Sequence, residues 1–153
     1  MEPLRASVSV PLPPDRAFEL FAERLGDWWP REFSWSQDAL EKIGIEPHAG
    51  GFAYERGPGG FTIHWGRVTA WDPPGRLVLL WQIAADRTPQ PDPNRASEVE
   101  VRFVAEDGGT RVDVEHRAWE RHGEGAQEYR DGFEESGAWP YALEQFAKAA
   151  GEG

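Results

Sequence analysis

The stretch SEVEVRFVAEDGGTRVDVEHRA, residues 97–118, decides the fold class. Val99, Val101 and Phe103 alternate with Glu98, Glu100 and Arg102 over 97–105. After the turn Asp107-Gly108-Gly109, Val112, Val114 and His116 alternate with Arg111, Asp113 and Glu115 over 110–118. A period of two on both sides of a glycine turn reads as a β-hairpin. One dry face and one charged face per strand imply an antiparallel sheet.

Further strands lie towards the N-terminus. Arg76 to Ile83 holds Leu77-Val78-Leu79-Leu80-Trp81, behind the turn Asp72-Pro73-Pro74-Gly75. Phe61 to Trp71 carries Phe61, Ile63, Trp65, Val68 and Trp71. Its parity slips between Trp65 and Val68, beside Gly66, which predicts a bulge. Gly57-Pro58-Gly59-Gly60 and Gly50-Gly51 are turns, and between them Phe52 and Tyr54 share a face. Residues 41–47 set Ile43 and Ile45 on one side, and Val8, Val10 and Leu12 alternate within 6–12. Pro13-Pro14 ends that first strand and suits the first turn of a helix. Ala17, Phe18, Phe21 and Leu25 share a helical face, which predicts a helix over 14–25 stopped by Gly26. The polar, proline-bearing segment 84–96 reads as a mobile loop.

Beyond the hairpin the period changes. Trp139, Leu143, Phe146 and Ala150 recur at helical spacing, and Tyr129 and Phe133 extend the stripe backwards. Ser136-Gly137 and Pro140 predict two helices, or one kinked near residue 136. The order is therefore strand, helix, about six strands, helix. A sheet with one apolar face must cover it, and the C-terminal helix is the cover. The fold class is α+β, one domain over 1–153: a curved antiparallel sheet of six to seven strands around a long C-terminal helix, with a helix after the first strand.

Composition excludes several functions. The net charge is −11 with no Lys/Arg stripe, which argues against nucleic acid as a partner. The chain has no cysteine, so disulfides, thiolate metal sites and cysteine nucleophiles are absent. His48, His64, His116 and His122 form no metal-binding pattern, and Glu115 and His116 point to opposite faces. No serine sits in a nucleophile elbow, and Gly57 to Gly60 is too short for a phosphate loop. We expect no metal, no cofactor and no assigned catalytic residue. The start shows no basic-then-apolar leader and the longest apolar run is Leu77 to Trp81, so the expectation is a cytoplasmic chain without a membrane partner.

Four segments together resemble the SRPBCC superfamily, also called START-like or birch-pollen-allergen-like. They are Val8-Ser9-Val10-Pro11 with Pro14-Asp15-Arg16-Ala17-Phe18; Gly50-Gly51-Phe52; Gly66-Arg67-Val68 through Pro73-Pro74-Gly75-Arg76-Leu77 to Trp81; and Gly137-Ala138-Trp139-Pro140 leading to Leu143 and Phe146. Within it the chain is similar to the branch named for the activator of the ninety-kilodalton heat-shock protein's ATPase. The resemblance implies a helix-grip fold with a central cavity. It does not choose among the superfamily's lipid carriers, receptors, cyclases and ring-hydroxylase subunits.

The aromatic residues are the better guide to a site. Phe52, Tyr54, Phe61, Trp65, Trp81, Phe103, Trp119, Phe133 and Trp139 come from separate elements and are expected to converge on the cavity, with Leu143 from the helix. Trp28 and Trp35 mark a segment that would gate it together with loop 84–96. His116, sharing a face with Val112 and Val114, is the inward polar residue. The expected function is binding of a small apolar or aromatic molecule, by a monomer or homodimer. One alternative is a co-chaperone-like module with a chaperone or other protein as partner. Another is a cyclase or aromatase, for which His116 with Tyr54 or Tyr141 is the sole acid–base set.

Overall fold

The computed structural model describes residues 1–152. Seven strands form one antiparallel sheet in the order β1-β7-β6-β5-β4-β3-β2. They are β1 (Leu4–Val10), β2 (Lys42–Ile45), β3 (Phe52–Arg56), β4 (Thr62–Asp72), β5 (Arg76–Trp81), β6 (Ser97–Glu106) and β7 (Gly109–Arg117). The hairpin that opened the sequence reading is β6–β7, paired from Glu98↔Arg117 to Glu106↔Gly109. Its partner β1 closes that edge, with Val10 opposite Thr110. Gly109 is required there, because a Cβ would fall 2.0 Å from the Val10 carbonyl oxygen. The sheet curves into a half-barrel around the C-terminal helix, the helix-grip arrangement.

The C-terminal part is two helices, α2 (Ala126–Ser136) and α3 (Ala138–Glu152). Gly137 joins them at φ 66°, a left-handed conformation that ends α2. Pro140 is tolerated because it lies in the first turn of α3, where backbone N–H groups lack helical partners anyway. Trp139, Ala142, Leu143, Phe146 and Ala150 make the buried stripe of α3. The Arg130 side chain of α2 donates to the Glu2 carbonyl at 2.9 Å, tying α2 to the chain start.

The N-terminal helix is shorter than the sequence predicts. Only α1 (Pro14–Phe18) is α-helical; Glu19–Glu23 widens into a π turn and Leu25–Asp27 tightens into a 3₁₀ turn. The Arg24 N–H reaches back five residues to Glu19, and the Trp28 indole donates to the Leu20 carbonyl at 3.1 Å. Side-chain packing therefore overrides helical periodicity, and Leu20, Phe21, Ala22 and Leu25 are all buried. Gly26 lies inside the tight turn and is no helix stop.

A bulge occurs near Gly66, as the parity slip predicts. Ala53 faces Gly66 and Tyr54 faces His64, so Trp65 has no opposite residue. A second irregularity follows between Val68 and Ala70. Gly66 permits the close approach of strands, since a Cβ would sit 2.7 Å from the Leu80 carbonyl oxygen. On the outer face, burial opposes ionisation of Glu100, but bonds from Arg76 and Arg117, with the charges of Arg117 and Arg102, hold its pKa at about 2. No helix among the described residues is long and apolar enough to cross a membrane.

Candidate functional site

A cavity of about 440 Å³ opens between the concave face of the sheet and the helices. The sheet supplies Ile43 from β2, Glu55 from β3, Trp65 from β4 and Trp81 from β5. The helices supply Tyr129, Phe133, Trp139 and Ala142. Trp29, Phe33 and Trp35 come from the irregular segment between α1 and β2, and Ile83, Ala85 and Arg87 from the stretch after β5. Such a volume, with mostly aromatic walls and a few polar groups, is typical of a small-molecule pocket.

The rings support one another by one stacked and several edge-to-face contacts. Trp29 stacks on Trp65 at 6.0 Å, and Trp81 meets Trp65, Phe133 and Trp139 at 5.7–6.0 Å. These contacts add to burial and fix the wall's shape. Most indole N–H groups are engaged. Trp81 donates to the Tyr129 hydroxyl at 3.0 Å, which donates in turn to the Ile83 carbonyl at 2.9 Å. Burial pushes the Tyr129 phenol up to about 12, against an opposing pull from the Trp81 N–H. Tyr129 is therefore protonated near neutral pH and holds the Trp81 indole in place.

Two segments meet at the mouth. The Trp35 indole donates to the Arg87 carbonyl at 2.6 Å, and Arg87 Nη2 reaches the Phe33 carbonyl at 3.5 Å. Arg87 has φ 68°, a left-handed conformation uncommon for a side-chain-bearing residue. A bridge between Ile83 and Pro89, and bonds from the Gln82 amide to the Gln90 and Pro91 carbonyls, hold the base of this loop. The segment 84–96 is thus more tied down than its composition suggests.

Of the residues singled out from sequence, the structure brings Trp35, Trp65, Trp81, Phe133 and Trp139 to the cavity wall. Phe52, Tyr54 and Phe61 require correction, because they sit on the other side of the sheet or outside it. Phe52 stacks on His64 under Arg67, Tyr54 lies under Lys42, and Phe61 is exposed. Trp28, Phe103 and Leu143 are buried in the packed core away from the cavity, as Trp119 is behind it. The error at β3 is one of parity: its inward pair is Ala53 and Glu55, not Phe52 and Tyr54.

His116 is inward and fully buried, yet it lies behind the wall rather than in it. Trp139 Nε1 donates to His116 Nδ1 at 3.1 Å, which places the imidazole proton on Nε2, 2.7 Å from the Ser97 hydroxyl. Ser97 then meets His122 Nε2 at 2.8 Å. Burial, with a smaller effect of nearby His122, holds His116 well below its ordinary value of 6.5 and therefore neutral. The set of His116 with Tyr54 or Tyr141 does not form, since Tyr54 faces outward and Tyr141 is exposed and bonded to Glu32.

Sequence reasoning missed Tyr129 and Glu55 as wall residues, and it marked Trp29 and Phe33 only as part of the segment from Trp28 to Trp35. Glu55 is 1% exposed. Its two carboxyl oxygens accept from the backbone N–H groups of Trp35 and Ser36 at 3.1 and 3.0 Å. Trp65 Nε1 is buried without a hydrogen-bond partner. An alternation test on β3 starting from Ala53 would have found Glu55. Among the described residues no cluster of His, Asp or Glu could hold a metal ion.

Comparison with known proteins agrees with this architecture. A family model described as Activator of Hsp90 ATPase homolog 1-like protein matches residues 11–151. The chain is similar to an anthrahydroquino-gamma-pyrone synthase, Txn09, with 37% identity, 97% of each chain covered and a TM-score of 0.68. It is also similar to CalC, a self-sacrificing resistance protein from Micromonospora echinospora, with 29% identity, 99% and 95% coverage and a TM-score of 0.67. A protein from Nitrosomonas europaea shares the fold at 16% identity, 99% and 95% coverage and a TM-score of 0.67. No curated protein matches.

Proposed function

The chain belongs to that activator-homologue family, and on this premise we propose that it is a small-molecule-binding domain whose cavity takes a planar, polycyclic aromatic compound. The observation that carries the reading is the 440 Å³ cavity walled by Trp29, Trp35, Trp65, Trp81, Phe133 and Trp139. Flat rings gain most from walls of this kind, through offset and edge-to-face contacts that aliphatic ligands cannot make. The name of the synthase, which describes a fused tricyclic quinol, supports the same class of ligand. The clasp between Trp35 and Arg87 would gate entry.

The test is titration with anthraquinone, followed by tryptophan fluorescence and by the unfolding temperature. Quenching that saturates, with a dissociation constant in the range of about 1–100 μM, is expected for a pocket this size. No quenching and no thermal shift up to the solubility limit would sink the proposal.

Ring closure on the bound aromatic is a second reading, favoured by the 37% identity to a synthase across nearly the whole chain. A chain that binds aromatic polyketides yet leaves their mass and absorbance unchanged is a binder alone. A protein-partner reading requires a collapsed cavity and an exposed apolar or acidic patch. The open cavity weighs against it.

A further inference from the structure

The cavity wall holds two polar groups with hydrogen-bonding capacity to spare. Trp65 Nε1 is a hydrogen-bond donor, buried with no acceptor. Leaving such a group unpaired costs about 1–3 kcal/mol, so an acceptor brought by a ligand is favoured there. Glu55 is the complementary case. It is an almost wholly buried carboxyl group whose partners are backbone N–H groups, not a Lys or Arg. Each oxygen accepts one bond and keeps a further lone pair.

The fold places these two groups side by side. β3 and β4 are neighbours, Glu55 faces Ile63 across the ladder, and Trp65 is two residues further along β4 on the same inward face. Diagonal neighbours of this kind have Cβ atoms about 7–8 Å apart. The bulge that leaves Trp65 unpaired keeps it inward while the parity of β4 changes. Trp65 Nε1 is itself closed off from the cavity, so a ligand oxygen reaches it only when the indole turns toward the ligand.

Resting on the binding reading above, we propose that Glu55 and Trp65 form a polar end of the cavity that selects an aromatic ligand bearing a hydroxyl and a carbonyl oxygen along one edge, a phenolic quinone or ketone. Glu55 accepts from the ligand hydroxyl. The Trp65 N–H donates to the ligand carbonyl. The remaining rings grip the flat faces without reading polar substituents.

Three probes test this on the intact protein: anthraquinone, 2-hydroxyanthraquinone and 2-methoxyanthraquinone. The hydroxy compound is expected to bind about 10-fold or more tighter than the other two, the size of a hydrogen bond to a carboxylate. Glu55→Gln should erase that preference, so that the hydroxy and methoxy compounds bind alike. Trp65→Phe should weaken the hydroxy compound and anthraquinone alike. Equal affinity of the native protein for all three overturns the polar end and leaves the binding reading intact. Failure of all three to bind overturns both. Because the probe series uses the unaltered protein, the outcome does not depend on whether Glu55→Gln folds.

Discussion

The two ends of the concave face are built from the same kinds of residue and finish in different states. At one end Phe18, Phe21, Trp28, Phe103 and Phe146 pack into a closed cluster, with ring centroids 4.8–5.7 Å apart. At the other, Trp29, Trp65, Trp81, Phe133 and Trp139 surround empty space. The difference lies in what covers the sheet. Over β6 and β7, α1 and the π turn after it push Phe18 and Phe21 into the trough. Over β2 to β5 the cover is the irregular Trp29–Trp35 segment, α2 and the loop after β5. There α2 and α3 contribute Tyr129, Phe133 and Trp139 to the wall without filling the space, and the rings meet edge to face around a void. Aromatic content alone therefore does not distinguish a core from a site.

The sharpest way to break this contrast is to truncate one ring at each end. Phe146→Ala removes a fully buried ring and should cost about 3–5 kcal/mol. Phe133→Ala, in the half-buried cavity wall, should cost under about 2 kcal/mol, because little packing is lost beside a void. Urea unfolding of both variants measures the gap, and equal losses would mean that the two ends are not mechanically distinct.

A second test concerns the support behind the wall. His116 holds Trp139 in place as a neutral imidazole. Its folded pKa lies below the ordinary 6.5, so the unfolded chain takes up the proton more readily. Its contribution is present above about pH 6.5 and is lost as the pH falls below that value. His122, also lowered by burial, acts in the same direction. Thermal unfolding should show stability dropping between about pH 7.5 and about pH 5.5, with a shallower drop in His116→Gln. An unaltered slope would remove His116 from the account.

The smallest expected effect is at the mouth. Trp35→Phe keeps a ring but deletes the bond to the Arg87 carbonyl, which should cost about 0.5–1.5 kcal/mol. The larger consequence is kinetic: a bound aromatic should dissociate faster by stopped-flow quenching. Unchanged dissociation would mean that the Trp35–Arg87 clasp is not the gate.

Most strands were legible because alternation is local. Val99 to Phe103 and Val112 to His116 face inward as their periodicity demands, and the break between α2 and α3 follows from Gly137. β3 was misread because Phe52 and Tyr54 look like core residues, whereas near the sheet edge they find partners in His64, Arg67 and Lys42 on the outer face. Glu55 was overlooked for the same reason in reverse. A carboxyl group rarely faces inward, and its compensating N–H groups come from Trp35 and Ser36, twenty residues away. The helix expected over 14–25 failed where the Trp28 indole and the core drew the chain into a wider turn.

The sequence by itself determined the antiparallel sheet, its covering helices and the family they belong to, since periodicity and turn residues act over a few neighbours. Only the tertiary structure decided which rings fill the core and which enclose the cavity. That choice depends on how distant segments stack across the curved sheet and on backbone groups that make burial of Glu55 tolerable.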